Sequence, residues 1–280
     1  MIELEIVVAK TAGFCFGVKR AIDLTEEALK VKTNVYSIGS IVHNKFVNKD
    51  LSDKGLIFIE SLDDVPEGSN VIIRAHGITE KELDKCCQKQ LNIVDTTCPN
   101  VKNIHDIVNK YSKDGYDIII IGDKAHPEVI GISGWSVGKI SVINKVEDVH
   151  KCSLNKVCVV SQTTMNIELN KVIVDEIKRL SNECIVFDTI CKATENRQKE
   201  LKILAKDADY VIVIGDKTSA NSNRLYEIAK NVCNSQFIEN IEELDLNFLE
   251  QSCKIVVMAG ASTPKRLIDE VVEKLNEKEL

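Results

Sequence analysis

The sequence predicts an α/β protein of three lobes with mainly parallel sheets. Short apolar segments alternate with segments of helical spacing, which is the pattern of a parallel sheet covered by helices on both faces. The plan also recurs, because three cysteines each precede a glycine by the same interval: Cys15 and Gly39, Cys98 and Gly122, and Cys191 and Gly215. We therefore expect the lobes to be copies related by an approximate threefold axis.

The repeat sets the expected boundaries of the lobes. Cut at the second and third of these cysteines, the chain divides into residues 1–97, 98–190 and 191–280. A chain of 280 residues fits two or three small domains. We expect the lobes to pack against one another, with the C-terminal helix packing back on the first lobe.

In the first lobe, apolar segments predict strands at 2–9, 34–40, 55–59 and 71–74. Apolar residues at helical spacing predict one helix after Cys15, and a second helix is expected at 79–90. Strand and helix thus alternate from the start of the chain.

The second and third lobes repeat this alternation. Strands are predicted at 91–94, 118–121, 139–143, 157–160, 184–187, 211–214 and 255–258. Helices are predicted after Cys98, from Pro127, at 168–180, through 201–205, after the loop 218–224, and from 265 to about 278. Many of these strands end at loops that carry His, Ser, Thr or Asn, and parallel sheets bind their ligands at such ends.

Composition and charge exclude several classes of partner. The chain is 44% hydrophobic and 28% charged, as in ordinary globular proteins, and its net charge of −7 argues against nucleic acid as a partner. No apolar run approaches the roughly 20 residues that span a bilayer, so we expect no membrane segment. Ten cysteines without an export signal indicate a reducing compartment, and we expect a cytoplasmic protein.

The three repeated cysteines are candidate metal ligands. If the lobes obey the threefold axis, Cys15, Cys98 and Cys191 converge on it, and converging thiolates in a reducing compartment bind metal. Zinc is possible, but zinc ligands usually come as close C-x₂₋₄-C pairs, and none of these cysteines belongs to one. The wide spacing suits an iron–sulfur cluster, and three ligands on a four-iron cluster would leave one iron open as a Lewis acid.

Polar residues at the other strand ends suit an anionic ligand. His43, His126 and Ser219 stand at one offset from the three glycines, and His76 follows another strand. Imidazoles and helix N-termini donate hydrogen bonds and positive charge to a phosphate or diphosphate. Glu128 either supplies a proton or only stabilises a helix dipole, and the residues alone favour neither role.

Eight short motifs are distributed over the whole chain: AGFCFGVKRAI from Ala12, AHG from Ala75, DTTCP from Asp95, AHPE from Ala125, SQTT from Ser161, TIC from Thr189, NSNRL from Asn221 and AGAS from Ala259. Their combination resembles the IspH/LytB family, the hydroxymethylbutenyl diphosphate reductases of the non-mevalonate isoprenoid pathway. The resemblance implies three α/β lobes around a central 4Fe–4S cluster.

The resemblance also implies roles for individual residues. Cys15, Cys98 and Cys191 would bind the cluster, whose free iron would take the substrate hydroxyl. The substrate-binding residues would be His43, His76, His126, Thr163, Ser219, Asn221 and Ser262. The catalytic residues would be Glu128, Thr163 and His126, with Glu128 delivering protons to the departing hydroxyl. The expected products are isopentenyl and dimethylallyl diphosphates, and the expected electron donor is a ferredoxin or flavodoxin.

Two alternatives remain: an iron–sulfur hydro-lyase, which needs no external electrons, and a metal-sensing or structural zinc protein. The chain also departs from the family pattern at Ala220, where many members have a second serine, and at Phe16, where alanine is common. Neither departure touches the cysteines or Glu128. His105 and His150 do not follow strands, and we expect both to be solvated or capping residues.

Overall fold

The chain folds into alternating strands and helices, as predicted. A computed structural model describes residues 4–247 and 254–277. Its strands are β1 (Glu5–Val8), β2 (Val35–Ile38), β3 (Leu56–Ile59), β4 (Asn70–Ile73), β5 (Asn92–Asp95), β6 (Asp117–Ile121), β7 (Ile140–Ile143), β8 (Lys156–Ser161), β9 (Glu183–Val186), β10 (Tyr210–Ile214), β11 (Asn234–Ile238) and β12 (Lys254–Ala259). Its α-helices are α1 (Phe16–Val31), α2 (Lys45–Asp53), α3 (Glu80–Gln88), α4 (Pro99–Lys113), α5 (Pro127–Ser133), α6 (Ile167–Leu180), α7 (Lys192–Leu204), α8 (Ala220–Lys230) and α9 (Lys265–Asn276).

The strands form three parallel sheets that share one connection order. The sheets run β3-β2-β4-β5, β7-β6-β8-β9 and β11-β10-β12-β1. Every strand pairing among the described residues is parallel. The predicted α/β architecture with parallel sheets is therefore confirmed, and the shared order agrees with the repeat in the sequence.

β1 belongs to the third of these sheets, not to the sheet of the first lobe in which it was expected. It pairs with β12, from Glu5 opposite Lys254 to Val8 opposite Val257. Apolar periodicity reports that a strand is buried but not which strand lies beside it, so the sequence pattern did not reveal this partner. Residues 2 and 3 of the predicted strand and residue 278 of the predicted last helix lie outside the described residues. The lobe boundaries at 98 and 191 stay a prediction.

Two elements were missed by the sequence analysis, α2 and β11. α2 is a nine-residue helix with apolar residues only at Phe46, Val47 and Leu51, which is too short a pattern to establish a helical period. β11 is an edge strand that begins Asn-Ser-Gln and is mostly half-exposed, so it lacks the apolar run of its neighbours.

The chain divides into two compact units. The first contains Met1–Phe16, His43–Val47 and Lys192–Leu280, and the second contains Gly17–Val42 and Asn48–Cys191. β1 and β10–β12 belong to the first unit, and the other two sheets belong to the second. Every helix in the described ranges is too short or too polar to span a membrane.

The core explains why the strands carry unbroken apolar runs. On β6, Ile119 and Ile121 pack in a cluster with α6, whereas Ile118 and Ile120 pack in a cluster with α4. A strand covered on both faces needs an apolar residue at every position, and each buried side chain contributes about 1.5–3 kcal/mol. The candidate site residues lie in the loops at the carboxyl ends of such strands.

Candidate active site

Each of the three repeated cysteines lies in the loop that follows an edge strand, and that strand occupies the same position in each of the three sheets. Cys98 follows β5, Cys191 follows β9 and Cys15 follows β1. The backbone N–H of each cysteine donates, at 3.0 Å, to a carbonyl in the loop after the neighbouring strand: Ala75 for Cys98, Thr163 for Cys191 and Ala261 for Cys15. The backbone therefore presents the three thiols in one repeated local geometry.

The three thiols differ in environment from the cysteines of the core. Cys15, Cys98 and Cys191 are partly exposed, and none of the nine described cysteines forms a disulfide. Burial raises the pKa of the Cys86 thiol to about 11 and that of the Cys158 thiol to about 12. Because metals bind the thiolate, the two core cysteines are unsuited to that role.

Two arginines that the sequence analysis missed anchor cysteine loops. Arg197 of α7 is only 4% exposed, and its Nη2 donates to the carbonyl of Gly13 at 2.5 Å. Gly13 has a φ of +95°, a conformation that favours glycine. Arg20 of α1 donates to the carbonyl of Thr97 at 3.2 Å. An arginine among the apolar residues of a helix could have indicated these contacts in the sequence. A guanidinium that is buried with such residues needs hydrogen-bond acceptors nearby.

Glu128 is a buried carboxyl held by a single residue. It lies in the first turn of α5 and is 3% exposed. Its Oε1 accepts the backbone N–H of Thr163 at 2.6 Å, and its Oε2 accepts the Thr163 hydroxyl at 2.7 Å. Burial raises the pKa of Glu128, and the two hydrogen bonds from Thr163 oppose this only in part. The group is therefore poised to hold a proton at a higher pH than an ordinary glutamate.

His126 is fixed by the same helix. It is the N-cap of α5, and its Nδ1 accepts the backbone N–H of Glu128 at 3.1 Å. A neutral imidazole whose Nδ1 is an acceptor carries its proton on Nε2, so the outer nitrogen is a donor. The rings of His126 and His76 meet edge to face, with centroids 5.6 Å apart. The structure thus brings together His76, His126, Glu128 and Thr163 within the second unit.

His105 is a buried residue that packs beside Gly77, next to His76, and it is not the solvated residue that was expected. It is 4% exposed and stacks on Trp135, with ring centroids 5.2 Å apart. Burial lowers the pKa of His105 to about 4, so the ring is neutral. Trp135 Nε1 donates to the carbonyl of Ile78 at 2.9 Å, which fixes the loop that follows His76. His150 is exposed, as expected.

Gly77→Ala should destabilise the protein by about 1–3 kcal/mol. Gly77 has a φ of +73°, and a Cβ there would lie 2.5 Å from Cε1 of His105. Gly138→Ala is the matched control, because the nearest atom to its Cβ would be 3.7 Å away. Denaturant unfolding measures both variants, and equal stabilities would show that the packing of His105 on Gly77 is not a constraint.

In the first unit, the loop after β10 carries Ser219 and Asn221 at the start of α8. Ser219 is the N-cap of this helix, and Ser219 and Asn221 are 5% and 4% exposed. The Asp216 carboxylate accepts the backbone N–H of Thr218 and of Lys45, both at 2.8 Å, so it joins this loop to the segment after His43. Burial raises the pKa of Asp216, but these hydrogen bonds and nearby positive charge outweigh it and hold the pKa below its ordinary value.

The loop after β12 contributes Ser262 to the same unit. Ser262 is 5% exposed, and its hydroxyl donates to the carbonyl of His43 at 2.7 Å. The structure therefore brings Ser262 and His43 together, and it places Ser219 and Asn221 at one helix N-terminus. The positive end of a helix dipole and its unpaired N–H groups suit an anion. The roles of these residues stay predictions.

Fold and side chains define an α/β protein that carries thiols, imidazoles and a buried carboxyl at the carboxyl ends of its parallel strands. A model of the LytB protein family matches residues 6–276. The chain is 43% identical over 278 residues to the 4-hydroxy-3-methylbut-2-enyl diphosphate reductase of Caldanaerobacter subterraneus, which covers 97% of this chain and 96% of that relative. The chain therefore belongs to the LytB family.

Solved structures agree with this assignment. The E-1-hydroxy-2-methyl-but-2-enyl-4-diphosphate reductase from Plasmodium falciparum has a TM-score of 0.93 and 35% identity, covering 98% of this chain and 88% of that chain. A structure of (E)-4-hydroxy-3-methyl-but-2-enyl diphosphate reductase, the terminal enzyme of the non-mevalonate pathway, has a TM-score of 0.72 and 40% identity, covering 98% and 99%. The expected family is therefore confirmed.

Proposed function

We propose that the chain catalyses the reductive dehydroxylation of 4-hydroxy-3-methylbut-2-enyl diphosphate to isopentenyl and dimethylallyl diphosphates, the last step of the non-mevalonate isoprenoid pathway. The observation that carries this function is family membership, since a reductase of that name is 43% identical over nearly the full chain. The chain is accordingly an oxidoreductase. In the reaction, two electrons and two protons enter, the allylic C–O bond breaks, one proton leaves with the hydroxyl as water, and the other goes to carbon.

Cys15, Cys98 and Cys191 hold one 4Fe–4S cluster in this proposal. Their equivalent backbone positions and partial exposure support a shared role, and an all-sulfur donor set suits iron–sulfur chemistry. When bound, the cluster supplies electrons and, at the iron that lacks a cysteine, a Lewis-acid position for the substrate hydroxyl.

Glu128 delivers the proton in this proposal. Its carboxyl is buried and its pKa is raised, so the protonated form persists to a higher pH than in an ordinary glutamate, which favours a general acid. Thr163 holds both carboxyl oxygens and therefore fixes the direction in which the proton can leave. His126, which caps the same helix, donates from Nε2 to the substrate.

The diphosphate is bound by neutral or cationic donors. His43, His76 and His126 supply imidazole N–H groups, and Ser219, Asn221, Ser262 and Thr163 supply hydroxyl and amide groups. The N-terminus of α8 adds the positive end of a helix dipole. Local donors of this kind bind an anion despite the net charge of −7.

The electron donor in this proposal is a ferredoxin or flavodoxin, and the compartment is the cytoplasm. Small electron carriers suit a cluster whose ligands are partly exposed. Nine described cysteines without a disulfide agree with a reducing environment.

Thr163→Val should move the basic limb of the pH–rate profile to higher pH. Valine keeps the shape and the backbone N–H but removes the hydroxyl hydrogen bond to Oε2, one of the interactions that lower the pKa of Glu128. The pKa of Glu128 therefore rises further, and its acid form persists longer as the pH increases. Thr163→Ser keeps the hydroxyl and serves as the control. A limb that moves to lower pH in Thr163→Val would contradict this account of Glu128.

Anaerobic purification followed by an assay with a chemical reductant tests the proposed function. We expect a brown protein that contains iron and sulfide and converts the allylic diphosphate to the two isoprenoid diphosphates only when electrons are supplied. A brown protein that turns over without reductant would be a hydro-lyase. A colourless protein that holds zinc would be a structural or sensory metal protein, and either result would refute the proposal.

A further inference from the structure

Asn100 lies beside a cysteine from a distant part of the sequence. It is the second residue of α4, two residues after Cys98, and its Nδ2 donates a hydrogen bond to Sγ of Cys191 at 3.1 Å. Both residues belong to the second unit. Neither proton delivery nor diphosphate binding makes use of this contact.

We propose that Asn100 is a positioning residue that holds the Cys191 thiolate and raises the reduction potential of the cluster bound there. The inference rests on the proposed ligand role of Cys191. A metal-bound thiolate has lone pairs but no proton, so it accepts hydrogen bonds and cannot donate them. The amide nitrogen of Asn100, and not its oxygen, therefore has to face the sulfur, as the structure shows.

The direction of the effect follows from charge. Reduction by one electron adds negative charge to a cluster, and part of that charge lies on the sulfur ligands. A hydrogen bond to such a sulfur stabilises the reduced state more than the oxidised state, which raises the reduction potential. The positive end of the α4 dipole lies at the same place and acts in the same direction.

The backbone of Cys191 is held separately from its sulfur. The N–H of Cys191 donates to the carbonyl of Thr163 at 3.0 Å, and Thr163 in turn donates to both carboxyl oxygens of Glu128. Removing the Asn100 amide takes away only the restraint on the sulfur. The potential should therefore change while the hydrogen bonds of Glu128 remain.

The test compares Asn100→Leu with Asn103→Leu in the anaerobic holoenzyme. Leucine is similar in size to asparagine and a good helix former, and Asn103 is an exposed asparagine of the same helix. We expect the midpoint potential, from a titration followed by electron paramagnetic resonance, to become more negative in Asn100→Leu and to stay unchanged in Asn103→Leu. Asn100→Asp replaces the donor by a negatively charged oxygen and should shift the potential further in the same direction.

A second readout detects the contact between Asn100 and the cluster directly. In protein labelled with ¹⁵N-asparagine, pulsed electron paramagnetic resonance of the reduced cluster should detect a ¹⁵N coupling that is lost in Asn100→Leu and kept in Asn103→Leu. Unchanged potentials in Asn100→Leu and Asn100→Asp, or a coupling that survives in Asn100→Leu, would overturn the inference and leave the proposed function intact. A zinc-loaded protein would instead refute the proposed function and this inference together.

Discussion

Glu128→Gln is expected to lower the turnover of the cluster-loaded enzyme by about 10²–10⁴-fold while leaving substrate affinity near the native value. Glutamine keeps the size of the side chain but has no acidic proton to deliver. Its amide oxygen still accepts the Thr163 N–H, and its amide nitrogen donates to Thr163 Oγ1, whose hydroxyl changes from donor to acceptor. Single-turnover rates and substrate binding to the anaerobic variant separate the two effects.

The same substitution should change how stability depends on pH. The folded-state pKa of Glu128 is raised by burial, so the protonated carboxyl favours the native state below its ordinary pKa. That contribution is lost as the pH rises through the raised value. Glutamine does not ionise, so the native protein should lose stability relative to Glu128→Gln as the pH rises through this window, as denaturant unfolding at several pH values measures.

Glu147→Gln is the matched control for both measurements, because Glu147 is an exposed acid in the short helix Val146–Lys151. It should leave the turnover and the pH dependence of stability unchanged. A Glu128→Gln enzyme with near-normal rates would remove Glu128 from the mechanism, whatever its stability.

Serine at any one of Cys15, Cys98 or Cys191 is expected to strip or damage the cluster and to abolish most turnover. A serine hydroxyl is harder than a thiol and is not deprotonated near neutral pH, so it is a poor substitute for a thiolate on iron. Iron and sulfide content, together with the visible absorption of the anaerobic protein, measures the loss.

Cys87→Ser is the control for these three variants. Cys87 is an exposed thiol on α3 and is not one of the repeated cysteines. Its replacement should leave the iron content unchanged. An intact cluster in all three of the other variants would refute the ligand set.

The sequence predicted those features that depend on local pattern. The apolar run of β6 predicted a strand covered on both faces, and the interval between each cysteine and its glycine predicted a repeated plan, which the shared strand order of the sheets bears out. Pro127 predicted the start of a helix, and α5 begins there. Glu128 differs, because the pattern favoured neither of its two candidate roles; its burial and its contacts with Thr163 support proton delivery, which stays a prediction.

The features that were missed depend on which distant residues become neighbours. The sequence places His105 on a helix but does not show whether it faces the core or the solvent. Its stacking on Trp135 and its burial show that the ring is in the core and neutral. Arg197 donates to a loop that lies far away in sequence. β1 likewise pairs with a strand that lies far away in sequence. Asn100 is an ordinary polar residue in a first turn until Cys191 is placed beside it. Local propensity carries no information on such contacts.

The pairing of β1 with β12 has a consequence for the order in which a growing chain becomes structured. β1 is synthesised long before its partner β12, so the third sheet cannot close until β12 has left the ribosome. The backbone N–H of Cys15 bonds to Ala261, which follows β12, and the cysteine made first is therefore fixed last. A growing chain therefore orders the loops of Cys98 and Cys191 before the loop of Cys15, and a cluster held by all three cysteines, as proposed above, would be completed only after β12 has paired with β1.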